Sequence, residues 1–146
     1  MMKLCKAAAL LLQLSLVLSL GCTPTEPVAV PTEHEEVEPI ARTEFTDRLE
    51  NFFEYEPLGV GKPSQFRIHL TDLADGSPLE QAQVSLTVRP RGGEETIAQT
   101  TAKVGKVTGI YVADLSVPRA GEFDIEFHIK NAKVDDRQLL SDFKVE

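Results

Sequence analysis

The strongest constraint on the fold is a strict alternation of apolar and polar residues in the second half of the chain. From Phe123 to Lys130, four apolar residues at every second position share one face. Successive side chains of a β-strand point to opposite faces, so this period predicts a strand with one buried face. Two earlier segments show the same period. The residues predicted on this basis to lie in the core are Phe66, Ile68, Leu86, Phe123, Ile125 and Phe127.

About seven segments of this kind occupy the last hundred residues, and glycine- or proline-containing turns such as Asp75-Gly76 separate them. The predicted strands are 50–55, 65–71, 84–89, 96–104, 110–117, 123–130 and 139–145, of which 96–104 is a weaker strand-pair region. An opening helical turn within 45–53 is an alternative for the first of them. Strands at this spacing, each with one polar face, favour an all-β, immunoglobulin-like antiparallel β-sandwich, with a small closed barrel as the alternative.

The N-terminus has the features of a secretory signal. Lys3 and Lys6 give a positive start, an apolar stretch covers 7–20, and Gly21 is a small residue before Cys22. The apolar stretch is shorter than the roughly 20 residues that a membrane-spanning helix needs. We therefore expect residues 1–21 to be a signal peptide and the chain to leave the cytoplasm.

The pair Gly21-Cys22 resembles the lipobox of bacterial lipoproteins, which implies that a lipid is attached to Cys22 and that the mature chain begins there. Ser19 followed by Leu20 reverses the usual order of aliphatic and small residues, and an ordinary signal peptide with a chance cysteine is the alternative. The resemblance implies a chain anchored to a membrane and facing the periplasm, with the outer membrane favoured over the inner one. The remaining cysteine, Cys5, would leave with the signal, so the mature domain has no disulfide.

Residues 22–43 are rich in proline and glutamate, a composition that extends a chain rather than folding it. We interpret them as an acidic tether that carries a folded domain at 44–146. The chain has a net charge of −8, which loss of Lys3 and Lys6 would take to about −10. Such a charge disfavours binding to nucleic acid.

The three histidines are the side chains to weigh as metal ligands. His69 and His128 are the candidate ligands, since both stand at polar positions of predicted strands and could bind zinc or copper(II) if those strands were neighbours. His34 lies in the tether. Two solvated surface histidines are the simpler interpretation. No motif of a catalytic nucleophile is present, and the sequence predicts neither an enzyme nor a bound cofactor.

Three segments resemble a known group of extracytoplasmic domains. Residues 76–84 (GSPLEQAQV) and 109–113 (GIYVA) are similar to YtkA-like and FixH-like domains, and 52–72 (FFEYEPLGVGKPSQFRIHLTD) resembles the domain that precedes some periplasmic adaptor subunits of heavy-metal RND efflux pumps. The lipoyl-like domain, barrel and helical hairpin of an adaptor have no counterpart in these 146 residues. The resemblance implies a non-catalytic, membrane-anchored binding or assembly module with an envelope protein as partner, accessory to such an efflux system. The alternative is a periplasmic metal-binding lipoprotein that uses His69 and His128.

Overall fold

The computed structural model describes residues 37–146, so the predicted signal peptide, Cys22 and most of the predicted tether lie outside the described residues. This part of the chain forms ten strands and contains no helix, and hence no helix capable of crossing a membrane. The strands are β1 (Ile40–Phe45), β2 (Leu49–Tyr55), β3 (Pro63–Asp72), β4 (Ser77–Pro78), β5 (Gln83–Pro90), β6 (Ala98–Thr101), β7 (Lys103–Val104), β8 (Ile110–Ser116), β9 (Gly121–Lys130) and β10 (Asp135–Val145).

The strands form two antiparallel sheets. The first sheet has the order β1-β2-β3-β8-β7, with β4 paired to the end of β3, and the second has the order β10-β9-β5-β6. Strands β2, β3, β8 and β7 correspond to strands A, B, E and D of an immunoglobulin sandwich, and β5, β9 and β10 correspond to C, F and G. The prediction of an immunoglobulin-like antiparallel β-sandwich is therefore confirmed. Strand β1 is an addition at the edge of the first sheet.

The predicted core residues are buried between the two sheets. Phe66, Ile68, Leu86, Phe123, Ile125 and Phe127 are each at most 2% exposed, which confirms the faces that the alternation assigned. Aromatic rings from both sheets meet at the centre, where the ring centroids of Phe53 and Phe127 are 4.8 Å apart. The described residues contain neither cysteine nor tryptophan, so these rings form the centre of the core without the disulfide and tryptophan of antibody domains.

Two elements differ from the sequence prediction. The region 96–104 divides into β6 and β7, which belong to different sheets: Ala102 still bonds to Val84 of the second sheet, whereas Lys103 pairs with Val112 of the first. The boundary predicted at residue 44 falls inside β1. The reason is tertiary, because Arg42 stacks on the ring of Phe143, with 4.9 Å between the guanidinium carbon and the ring centroid.

Polar side chains close the side of the sandwich where β1 and β2 face β10. Arg42 donates from Nη1 to the carbonyl oxygen of Ser141 at 2.9 Å. Asn51 and Gln138, both buried, form an amide–amide hydrogen bond of 2.9 Å between the sheets. Buried amides need such partners, so this pair ties β2 to β10 at one relative position.

The directions of the strands place each connection at one of the two ends of the sandwich. The loop end carries the turn 46–48 and the connections 73–82, 105–109 and 131–134. The opposite end, the base, carries residues 37–39 and the connections 56–62, 91–97 and 117–120. Without β1, the domain would begin at the first residue of β2, which lies at the loop end. Because β1 runs antiparallel to β2 from Ile40 opposite Tyr55, the chain enters the domain at the base instead.

Candidate functional site

The two candidate metal ligands lie in different sheets. His69 is in β3 of the first sheet and His128 is in β9 of the second, and each alternates with residues that face the core. Their rings are therefore on the two opposite outer faces of the sandwich. The condition set for a shared His69–His128 site, that β3 and β9 be neighbours in one sheet, is not met. No group of three or more histidine, cysteine or carboxylate side chains within residues 37–146 could hold a metal ion.

His69 lies between aromatic and aliphatic neighbours on the outer face of the first sheet. Its cross-strand partners are Phe52 and Ile110, and the Phe52 ring meets the imidazole edge-on with 5.3 Å between the centroids. Its Nε2 is buried without a hydrogen-bond partner in the described part of the chain. A surface cleft of about 210 Å³ borders this ring and extends to Val107 and Thr108.

His128 belongs to a charged group on the outer face of the second sheet. Its Nε2 lies 2.8 Å from Oδ1 of Asp135, whose other oxygen accepts from Nζ of Lys130 at 2.7 Å. The hydrogen bonds from Lys130 and from His128 hold the pKa of Asp135 at about 2, below its ordinary value of 3.8. The histidine is thus engaged by a single carboxylate in an ordinary hairpin contact.

A second charged group on that face is centred on Glu126. It accepts from Arg89 of β5 at 3.2 Å and from Arg137 of β10 at 2.8 Å, so it links three neighbouring strands. Partial burial raises the pKa of Glu126, but the hydrogen bonds and positive charges of Arg89 and Arg137 outweigh burial and leave the pKa lowered. Carboxylates paired with cations on neighbouring strands, as Asp135 and Glu126 are, are typical of a solvated sheet surface.

Two neighbouring clefts lie at the loop end. A cleft of about 310 Å³ lies between the connections 73–82 and 131–134, and an adjacent cleft of about 260 Å³ lies between 131–134 and the turn 46–48. Lys133 lines both clefts. Arg48 donates to the carbonyl oxygen of Lys133, and the backbone nitrogen of Leu73 donates to the carbonyl oxygen of Arg48. These bonds hold three connections together as one surface.

A buried tyrosine positions the connection 73–82. The hydroxyl of Tyr111 donates to the carbonyl oxygen of Leu79 at 2.7 Å and accepts from the backbone nitrogen of Ala82 at 3.0 Å. Tyr111 is 1% exposed, so both bonds are shielded from water. The alternation of 110–117 predicted its burial, and a buried hydroxyl requires a partner. The partner groups lie about thirty residues earlier in the chain, and nothing in the sequence identifies them.

Comparison with known proteins leaves the family of the chain open. No protein-family model matches it, and no curated protein matches it significantly. Among solved structures, the ZirS C-terminal domain is similar, with 16% sequence identity, a TM-score of 0.45 and coverage of 97% of each chain. A similarity this distant does not bear on function. The resemblance to YtkA-like and FixH-like domains stays a prediction.

Proposed function

We propose that this chain is a non-catalytic binding module of the bacterial cell envelope, anchored to a membrane by a lipid on Cys22, that presents its loop end to another envelope protein. The observation that carries the proposal is the course of β1. It brings the chain into the domain at the base, so the loop end lies on the far side from the point of attachment.

The length of the preceding segment supports this arrangement. Fourteen residues separate Cys22 from Val37. An extended chain spans at most about 3.3–3.6 Å per residue, so these residues could place the base up to about 50 Å from the lipid. Their prolines and glutamates favour extended conformations. The loop end would then face a partner in the periplasmic space rather than the membrane that holds the anchor.

The loop-end clefts suit a protein partner better than a small molecule. Their volumes of about 310 and 260 Å³ lie close to the lower limit of about 300 Å³ that is common for small-molecule sites. Their linings mix charges, including Arg48, Asp47 and Lys133. Polar groups of both signs are typical of the rim of a transient protein interface. The resemblance of residues 52–72 to efflux-adaptor domains supports a partner in a heavy-metal RND efflux assembly.

Site-specific photo-crosslinking in intact cells tests the proposal. A crosslinking amino acid at Gln81 or Ala132 of the loop end is expected to capture one and the same envelope protein. The same amino acid at Glu95 or Arg119 of the base is the matched control and is expected not to capture it. Lys133→Glu should weaken capture from Gln81, because it reverses the charge shared by both clefts. Equal capture from the two ends, or capture unaffected by Lys133→Glu, would contradict a partner-binding loop end.

A further inference from the structure

The four edge strands of the sandwich differ in how well they are protected. Strand β7 has two residues and β6 has four. Strand β10 is interrupted by a bulge between Leu140 and Phe143, and its end is bridged by Leu58. Bulges and covering segments are common ways of blocking an edge. Strand β1 has six residues without a bulge, and within residues 37–146 its only strand partner is β2.

The outer edge of β1 therefore offers unpaired backbone groups. In an antiparallel pair, alternate residues turn both their N–H and their C=O away from the partner strand. No backbone hydrogen bond from residues 40–45 to any described residue other than those of β2 is present. Ala41, Thr43 and Phe45 are exposed on the outer face, and the Phe45 side chain is 64% exposed. An edge of this kind is a template for another strand.

The sequence of β1 is complementary to itself. When two copies are paired antiparallel about a two-fold axis at Thr43, each Arg42 stands opposite the Glu44 of the other copy, and each Ala41 stands opposite a Phe45. Thr43 stands opposite itself. Opposite charges and threonine pairs are both favourable directly across antiparallel strands. Arg42 and Glu44 already form a 2.6 Å ion pair within one copy, on the face turned toward the second sheet. Pairing would join two such ion pairs into a four-charge group.

We infer that β1 is a self-association edge, through which two copies of this chain join their first sheets into one continuous antiparallel sheet. The occupant is a second copy because the charges of β1 match their own two-fold image. A single strand pair buries less than the approximately 1,200 Å² of a stable standard-sized interface, so the dimer is weak and reversible. A shared membrane anchor would raise the local concentration of the chain, but the pairing itself does not depend on the anchor.

Cysteine crosslinking in the full chain tests both the dimer and its register. Thr43→Cys is expected to give a disulfide-linked homodimer under mild oxidation, because paired Cα atoms of about 4.5–5.5 Å lie within disulfide range. Ala41→Cys alone is not expected to give a disulfide-linked homodimer, because the two copies of residue 41 would be four residues out of register, about 13 Å apart. Ala41→Cys and Phe45→Cys produced in the same cell should crosslink to each other.

Four controls make the result decisive. Thr101→Cys places a cysteine on the exposed edge strand β6 and should form little dimer, and the wild-type chain gives the background from Cys5 and Cys22. Adding Glu44→Lys to Thr43→Cys places like charges across the axis and should reduce the yield of the crosslinked dimer. Repeating the Thr43→Cys crosslinking in a Cys22→Ala chain at high protein concentration tests whether the dimer forms without the anchor. The inference would be overturned if Thr43→Cys gave no more homodimer than Thr101→Cys. It would also be overturned if Thr43→Cys formed disulfides only with other proteins.

Discussion

At the scale of single residues, neighbours in one strand have opposite environments. Phe127 is completely buried against Phe53, whereas the next residue, His128, is on the outer face and is hydrogen-bonded to Asp135. The pleat of the strand alone produces this contrast, since successive side chains point to opposite sides of the sheet. The stability of the domain therefore depends on the odd-numbered residues of β9 far more than on the even-numbered ones.

Replacing Phe127 by alanine is expected to lower the free energy of unfolding by about 3–5 kcal/mol, through lost burial and the cavity left in the aromatic cluster. His128→Ala is the matched control on the neighbouring position, and it should lower the melting temperature much less. Thermal and denaturant unfolding of both variants measures the difference. If Phe127→Ala melted like the wild type, the assignment of the core face would be wrong.

At the scale of elements, the hairpin of β9 and β10 carries a row of charges across its outer face. Asp135 pairs with Lys130 in the register, and its carboxylate accepts from both Lys130 and His128. These bonds favour the ionised form of Asp135 in the folded state. Their contribution to stability must consequently depend on pH.

The pKa of Asp135 is about 2 in the folded chain and is expected near 3.8 when unfolded. A depressed carboxyl pKa stabilises the fold above the unfolded value, and the stabilisation is lost as the pH falls from about 4 to about 2. Asp135→Asn should therefore melt at a lower temperature than the wild type at pH 6, and the gap should close toward pH 2. Measuring melting temperatures from pH 6 to pH 2 checks this. A gap that persisted undiminished at pH 2 would exclude Asp135 as the source.

At the scale of the whole molecule, β1 decides at which end of the sandwich the chain enters the domain. Six residues opposite β2 are enough to move the start of the domain from the loop end to the base. The polar contacts of Arg42 with Ser141 and Phe143 hold this strand against the second sheet. The proposed function additionally requires the lipid on Cys22, so lipidation of Cys22 is the first property to measure.

Cys22→Ala is expected to release the chain from the membrane fraction, because it removes the thiol to which the proposed lipid is attached. Several buried acyl chains, each methylene worth about 0.8 kcal/mol, hold a protein firmly, whereas the unmodified chain would have nothing comparable. Membrane fractionation and the intact mass of the mature chain are the measurements. A mature wild-type chain without added acyl mass would contradict lipidation at Cys22.

The sequence alone determined those features of the fold that depend on residues close together in the chain. The alternation around Phe66 and Phe127 predicted strands, buried faces and a two-sheet sandwich, because side-chain direction in a strand has a fixed period of two. The tertiary structure decided which strands are neighbours. It separated His69 from His128, divided the region 96–104 between two sheets, and made a strand of residues 40–45, whose sequence has no clear apolar period. Pairing is a non-local property: β1 is held in place by Phe143, about a hundred residues away, and no local pattern contains that contact.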